Sequence, residues 1–263
     1  QTSLEWFENA GRYLVQEPLP FVFNLMTRSK RITYDNLKAR DPLLVAQVDR
    51  RFSERTPGGA PDARPPVPPA FTPFRARSVE LANRIVVSPM CQYSAEEGTV
   101  GDWHLVHLGS RALGGAGLVI AEMTNVSAEG RISPGCAGLY RPEHLAEWRR
   151  IVEFTHRHSQ AKIGLQLAHA GRKASMRRPW EGADLPLTAE EGAWQPLAPS
   201  ADPFRPGAPV PRAMDRADMD RILADFVRST RWAAEAGFDW LELHMAHGYL
   251  LSSFLSPLTN RRA

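Results

Sequence analysis

From Phe71 onward, short apolar runs alternate with longer stretches whose apolar residues recur at helical spacing. Arg84–Ser88 (RIVVS), Gly117–Glu122 (GLVIAE), Lys162–Leu167 (KIGLQL) and Trp240–His244 each read as a strand. Trp103–Gly114 reads as a helix with Leu105, Leu108 and Ala112 on one face. Pro142 suits the first turn of a second helix, running to His158 with Leu145, Trp148, Ile151 and Val152 inward. Asp215 caps a third, with Met219, Ile222, Leu223, Phe226 and Ala233 at helical spacing and an end near Gly237. The order βαβαβαβ implies an α/β fold of parallel strands covered by helices. A TIM barrel and a doubly wound sheet both satisfy it. SPMCQYS follows the first strand where a nucleotide-binding sheet would carry Gly-x-Gly-x-x-Gly, which weakens the second option.

Residues 1–56 differ in character. They are rich in aromatic and basic residues, with one helix capped by Ser3 and carrying Leu4, Phe7, Tyr13 and Leu14, and another over Pro42–Phe52. The region has little room for its own core and reads as a helical appendage. Residues 57–70 (PGGAPDARPPVPPA) form a proline-rich linker, and a domain of residues 71–263 follows.

Composition narrows the function. Of 263 residues 43% are apolar, and 32 basic against 29 acidic residues give a net charge of +3 with no basic block, so no nucleic-acid partner is expected. No apolar run nears the ~18 residues of a membrane span, and the N-terminus QTSLEWFENAGRY is unlike a signal peptide. The two cysteines, Cys91 and Cys136, do not suggest a disulfide framework, and a reducing, cytoplasmic setting is expected.

Polar and sulfur-bearing residues cluster just after the strands: Cys91 and Tyr93, Glu122, Gln166 and His169, then His244, His247 and Tyr249. Clustering at the C-terminal ends of successive strands is what a barrel active site requires. Two imidazoles and a phenol within HMAHGYLLSSFLSPLTN (244–260) can hold an electron-rich oxygen and deliver a proton. A structural histidine pair, or an H-x-x-H metal site, is the competing reading. Tyr249 could equally pack under the loop, and Cys91 could be a small buried hydrophobe.

The runs FTPFRARSVELANRIVVSPMCQYS, HLGSRALGGAGLVIAE, KIGLQLAHAGRKAS and ELHMAHGYLLSSFLSPLTNRR resemble the Old Yellow Enzyme family of flavin-dependent ene-reductases, most closely its bacterial class with a cysteine near the flavin. The resemblance implies a TIM barrel with FMN across its mouth, reduced by NAD(P)H and passing hydride to an electron-poor alkene. It implies that His244 and His247 bind the substrate's carbonyl oxygen, that Tyr249 donates the proton, and that Tyr93 reaches substrate from the opposite side. Ser88, Pro89, Met90 and the chain near Met123 would contact the ring, Cys91 would tune its potential, and Gln166 would pair with its pyrimidine edge. Arg172 and Lys173 would lie near the cofactor or mouth.

Residues 3–52 are similar to the C-terminal helices of an FAD-dependent aromatic hydroxylase, an order of modules found in bifunctional aryl-CoA monooxygenase/reductases. FAD would then belong to a module upstream. A TIM barrel has eight strands in about 250 residues, and only four are read here, so the barrel is incomplete and weak FMN binding by this chain alone is expected. The substrate would be an enone or a dearomatised aryl-CoA thioester, and the full-length enzyme a homo-oligomer. A stand-alone ene-reductase, or an inactive half-barrel serving only in docking, are the alternatives.

Overall fold

The computed structural model describes residues 37–38, 41–55, 67–182 and 185–262, and the chain divides into two compact units at Phe74/Arg75. The helix expected after Ser3 and the hydroxylase-like helices before residue 37 lie outside the described residues. In the first unit, helix α1 (Pro42–Arg55) buries Val45, Asp49 and Ser53, one residue per turn. Asp41 accepts the Leu44 N–H at 2.9 Å and Pro42 takes the first helical position, so the expected start is built as read.

Strands β1 (Phe74–Ala76) and β2 (Val79–Leu81) pair with each other, and the apolar pattern did not signal them because each is three residues long. The centre of the second unit is a parallel sheet of β3 (Val86–Val87), β4 (Leu118–Asn125), β5 (Lys162–Ala168) and β8 (Trp240–Leu243), in that spatial order. A small pair, β6 (Leu197–Ala198) and β7 (Arg212–Ala213), lies in the chain between β5 and β8. Helices α2 (Asp102–Leu113), α3 (Pro142–His158) and α4 (Arg216–Ala236) make the crossovers, and α5 (Leu250–Leu255) follows β8.

Each crossover helix follows from its sequence. In α3 the expected inward residues Leu145, Trp148, Ile151 and Val152 are buried. Trp148 is wholly enclosed, its indole N–H donates to the Gly138 carbonyl at 3.0 Å, and its ring meets Phe238 edge-on. In α4 Asp215 and Asp218 cap each other's backbone N–H groups, and Gly237, at φ 93°, ends the helix in the left-handed conformation.

Two expectations need correction. The first strand is only Val86–Val87, because the Asn83 side chain takes the Ile85 N–H and ties the approach to a turn. Leu223 is 63% exposed and does not point inward. It borders an apolar groove of about 540 Å³ with Phe226, Leu243, Leu251 and Phe254. Strands β3 and β8 are the sheet edges, and Val86 and Leu243 are exposed on them.

The close approach of the first two parallel strands depends on Gly117. It donates to the Ile85 carbonyl at 2.9 Å, and a Cβ there would lie 2.2 Å from the Asn83 carbonyl oxygen. Gly117→Ala is expected to destabilise the second unit by ~1–3 kcal/mol, the usual cost of overpacking, read as a lower urea midpoint with unchanged slope. Trp148→Ala should cost more, ~3–5 kcal/mol.

Candidate active site

Parallel strands bring all their C-terminal ends to one edge of the sheet. Beyond β3 the chain runs through Ser88, Pro89, Met90 and Cys91 to Tyr93 without regular structure, with Ser88 and Met90 exposed. The register between β4 and β5 shifts at a bulge between Ala121 and Met123, and Met123, Gln166 and Glu242 then lie side by side on β4, β5 and β8. The Gln166 amide N–H donates to Glu242 Oε1 at 2.5 Å, leaving the amide oxygen as an acceptor. Along β8 Glu242 alternates in burial with the exposed Leu241 and Leu243, and its face is the one that meets Gln166.

At the tip of β8, the His244 N–H donates to the Leu167 carbonyl at 2.9 Å, and His244 Nδ1 accepts the Ala246 N–H at 3.2 Å. The neutral ring therefore carries its proton on Nε2. Tyr249 N–H closes a turn onto the Ala246 carbonyl, with φ of 58° at His247 and 70° at Gly248, as in hairpin-type turns with two left-handed central residues. The turn folds three rings together: His244 lies 4.9 Å from His247 and 4.8 Å from Tyr249, and His247 lies 5.9 Å from Tyr249, all edge-on. His244 is buried and His247 exposed. Burial lowers the His244 pKa, His247 adds to the shift and Glu242 opposes it.

The adjoining loop is locked to this turn. His169 accepts the Leu250 N–H on its carbonyl and the Gly171 N–H on Nδ1, both at 3.0 Å. Gly171 has φ 61°, and a Cβ there would lie 2.9 Å from the Leu250 backbone. Lys173 sits 5.8 Å from the Tyr249 ring and 5.6 Å from that of Phe204, while Arg172 pairs with Asp202 at 3.6 Å.

Cys91 and Tyr249 pack against the same buried cluster of Met123, Ala168, Ala170 and Ala174. Tyr93, held at φ 52°, shares with Tyr249 and Lys173 a cavity of about 190 Å³. Burial raises the pKa of both phenols, and a Cys91 thiolate would raise them further. Burial likewise keeps Cys91 protonated, reinforced by Cys136 and Glu122. Among the described residues no group of three or more His, Cys, Asp or Glu is arranged to hold a metal ion. No described helix is long and apolar enough to cross a membrane.

Residues 69–263 match the family described as NADH:flavin oxidoreductase / NADH oxidase. The chain belongs to this family. An NADH:flavin oxidoreductase of Gibberella zeae is 41% identical over 225 residues, covering 82% of this chain and 54% of the relative. An NADPH dehydrogenase of a Geobacillus species is 44% identical over 194 residues, covering 73% and 52%. Among solved structures, morphinone reductase superposes with a TM-score of 0.63 at 30% identity, covering 74% of this chain and 52% of the other. An Old Yellow Enzyme from a Pichia species superposes with 0.65 at 29%, covering 74% and 50%. The chain spans about half the length of the curated relatives it matches. Its parallel sheet is part of the barrel those flavin oxidoreductases share.

Sequence reasoning left two buried groups of this family member without a role. Glu122, named only as a polar residue after a strand, is 4% exposed, and burial pushes its pKa up to about 8. His104, hidden in an ordinary amphipathic helix, lies 3.5 Å away and is held down at about 4 by burial. Only a contact across the β4–α2 packing, absent from local spacing, could have revealed the pair.

The buried titratable groups set a stability optimum. His104, His144 and His169 are each lowered to about 4, chiefly by burial. Their neutral forms stabilise the fold above the unfolded value near 6.5, and that stability is lost as pH falls toward 4. Glu122 is raised, so its contribution is full below about 4.5 and lost as pH rises through 8. Between 6.5 and 4.5 three histidines outweigh one carboxyl, and above 6.5 the carboxyl acts alone. Urea unfolding from pH 4 to 9 should therefore show maximal stability near pH 6.5–7, with slopes up to roughly 1.4 kcal/mol per pH unit for each net proton. A midpoint rising steadily into acid would contradict these burials.

Proposed function

We propose that this chain forms the substrate-facing part of a flavin-dependent NAD(P)H oxidoreductase of the ene-reductase type. The observation that supports it best is the packed trio His244, His247 and Tyr249, whose Tyr249 packs against the same buried cluster at the strand ends as Cys91. The names of its relatives, NADPH dehydrogenase and a morphinone reductase in complex with tetrahydroNAD, point to nicotinamide as reductant.

The donor set suits FMN. With its N–H committed to Glu242, the Gln166 amide retains an oxygen to accept from the pyrimidine edge of the ring. Cys91 remains a neutral thiol beside Met123, and the exposed Ser88–Met90 segment borders it. When bound, FMN supplies the hydride that it receives from NAD(P)H. The chain's own residues act on the acceptor. His244 offers its Nε2 proton, and His247 lies beside it, to the carbonyl oxygen on which negative charge develops as hydride reaches the β-carbon. Tyr249 keeps its proton at neutral pH and holds it beside His244, in place to protonate the α-carbon. Tyr93 and Lys173 line the cavity next to Tyr249.

A compact enone would present its carbonyl to the histidine pair, with the cavity of about 190 Å³ lined by Tyr93, Lys173, Phe204 and Tyr249 adjoining at Tyr249. The alternative, an aryl-CoA thioester handled by a bifunctional monooxygenase/reductase with FAD upstream, rests on hydroxylase-like residues that mostly lie outside the described ones.

The double variant His244→Ala/His247→Ala tests the reading. With FMN supplied and cyclohexenone as acceptor, enone-dependent NADPH oxidation should fall by about 10²–10³-fold, while NADPH-driven bleaching of the flavin without acceptor persists. Undiminished enone turnover would remove the pair from the reaction.

A further inference from the structure

Behind the loop that carries Cys91 and Tyr93 lies a pair of buried groups with no counterpart in the proposed chemistry. Glu122 Oε1 accepts the backbone N–H of Gln92, the residue between Cys91 and Tyr93, at 3.2 Å. Its other oxygen, Oε2, faces His104 Nε2 at 3.5 Å. His104 Nδ1 accepts the Gly101 N–H at 3.3 Å, so the neutral ring carries its proton on Nε2, an atom that is buried and without a hydrogen-bond partner. The Gln92 side chain adds further ties, accepting from the Trp103 indole at 3.2 Å and donating to the Met90 carbonyl at 2.8 Å.

The Gln92 N–H that Glu122 accepts, and the unpartnered Nε2 proton 3.5 Å away, both suit a carboxylate, which only accepts. A protonated Oε2 would confront the Nε2 proton of His104. Burial works the other way and favours the neutral acid. These opposed demands place the carboxyl's proton equilibrium within the range where a small change decides it. The titratable groups facing the pair are Cys91 and Tyr93 on the β3 loop, Cys136 after β4, and His107 one turn along α2.

We propose that Glu122 and His104 are positioning residues for the site: the ionised Glu122, steadied by His104, grips the Gln92 amide and sets the charge behind Cys91, and protonation of Glu122 loosens that grip. The inference builds on the reading of Cys91 and Tyr93 as site residues, but its test needs no flavin. Its outcome is therefore separate from whether FMN binds there.

In wild-type protein carrying ¹³C-labelled glutamate, one carboxyl carbon, absent from the spectrum of Glu122→Gln, should titrate far above the other glutamates. Site-resolved alkylation with iodoacetamide across pH 6–10 reads the effect on the thiol. In wild type the Cys91 rate should show an inflection where Glu122 ionises, besides that of the thiol itself. Glu122→Gln keeps an oxygen for the Gln92 N–H but removes the charge. It should erase that inflection and alkylate Cys91 severalfold faster at pH 9–10, with Cys136 still protected. His104→Phe removes the Nε2 donor and should move the inflection to higher pH. A Glu122 carboxyl that titrates with the surface glutamates in wild type would overturn the proposal, whether or not either variant folds. So would Cys91 profiles unaltered by both variants, or acceleration shared equally by Cys136, which would reveal only a loosened core.

Discussion

Parallel pairing of β4, β5 and β8 is the constraint from which the site follows. Because these strands run the same way, the residues after each one emerge at a common edge, and the register decides which side chains meet there. The bulge at Ala121/Met123 is the one irregularity in that register. Past it, Met123 stands beside Gln166, and Gln166 beside Glu242. Chemistry drawn from distant parts of the chain is thus assembled by backbone hydrogen bonding, before any side chain contributes.

The local order of this chain was largely legible. Helix α3 runs from Pro142 to His158 as its proline and apolar spacing dictate, and α4 begins and ends at the Asp215 and Gly237 signals. These signals are read within one turn of backbone, so no tertiary knowledge is needed. The clustering of Cys91, Tyr93, Gln166, His169, His244, His247 and Tyr249 after strands was legible for the same reason, and the structure brings Cys91, Tyr93 and Tyr249 within mutual influence. The partnership of Gln166 with Glu242, the turn that sets His247 edge-on to His244, and the meeting of Glu122 with His104 were not. Each depends on which residue of one element packs against which residue of another.

The electrostatic character of the strand-end edge is consistent throughout. Burial keeps the thiol and both phenols protonated and the enclosed imidazoles neutral. The surface is different, with arginines such as Arg212, Arg216 and Arg221 paired to the α4 carboxylates Asp218, Asp220 and Asp225. The enclosed surroundings of Cys91 and Cys136 respond strongly to any charge that forms within them, since little water is at hand to screen it. The same property makes a single buried carboxyl such as Glu122 influential over several neighbours at once.

The contact of Gly171 with Leu250 has a consequence for anyone reshaping this protein. With no space for even a methyl group between them, and with His169 hydrogen-bonded to both, the two loops behave as one mechanical part. A graft of the histidine turn into another scaffold, or a library that randomises it, must carry the alanine–glycine segment along. Otherwise the transplanted rings arrive without the abutment that aims them.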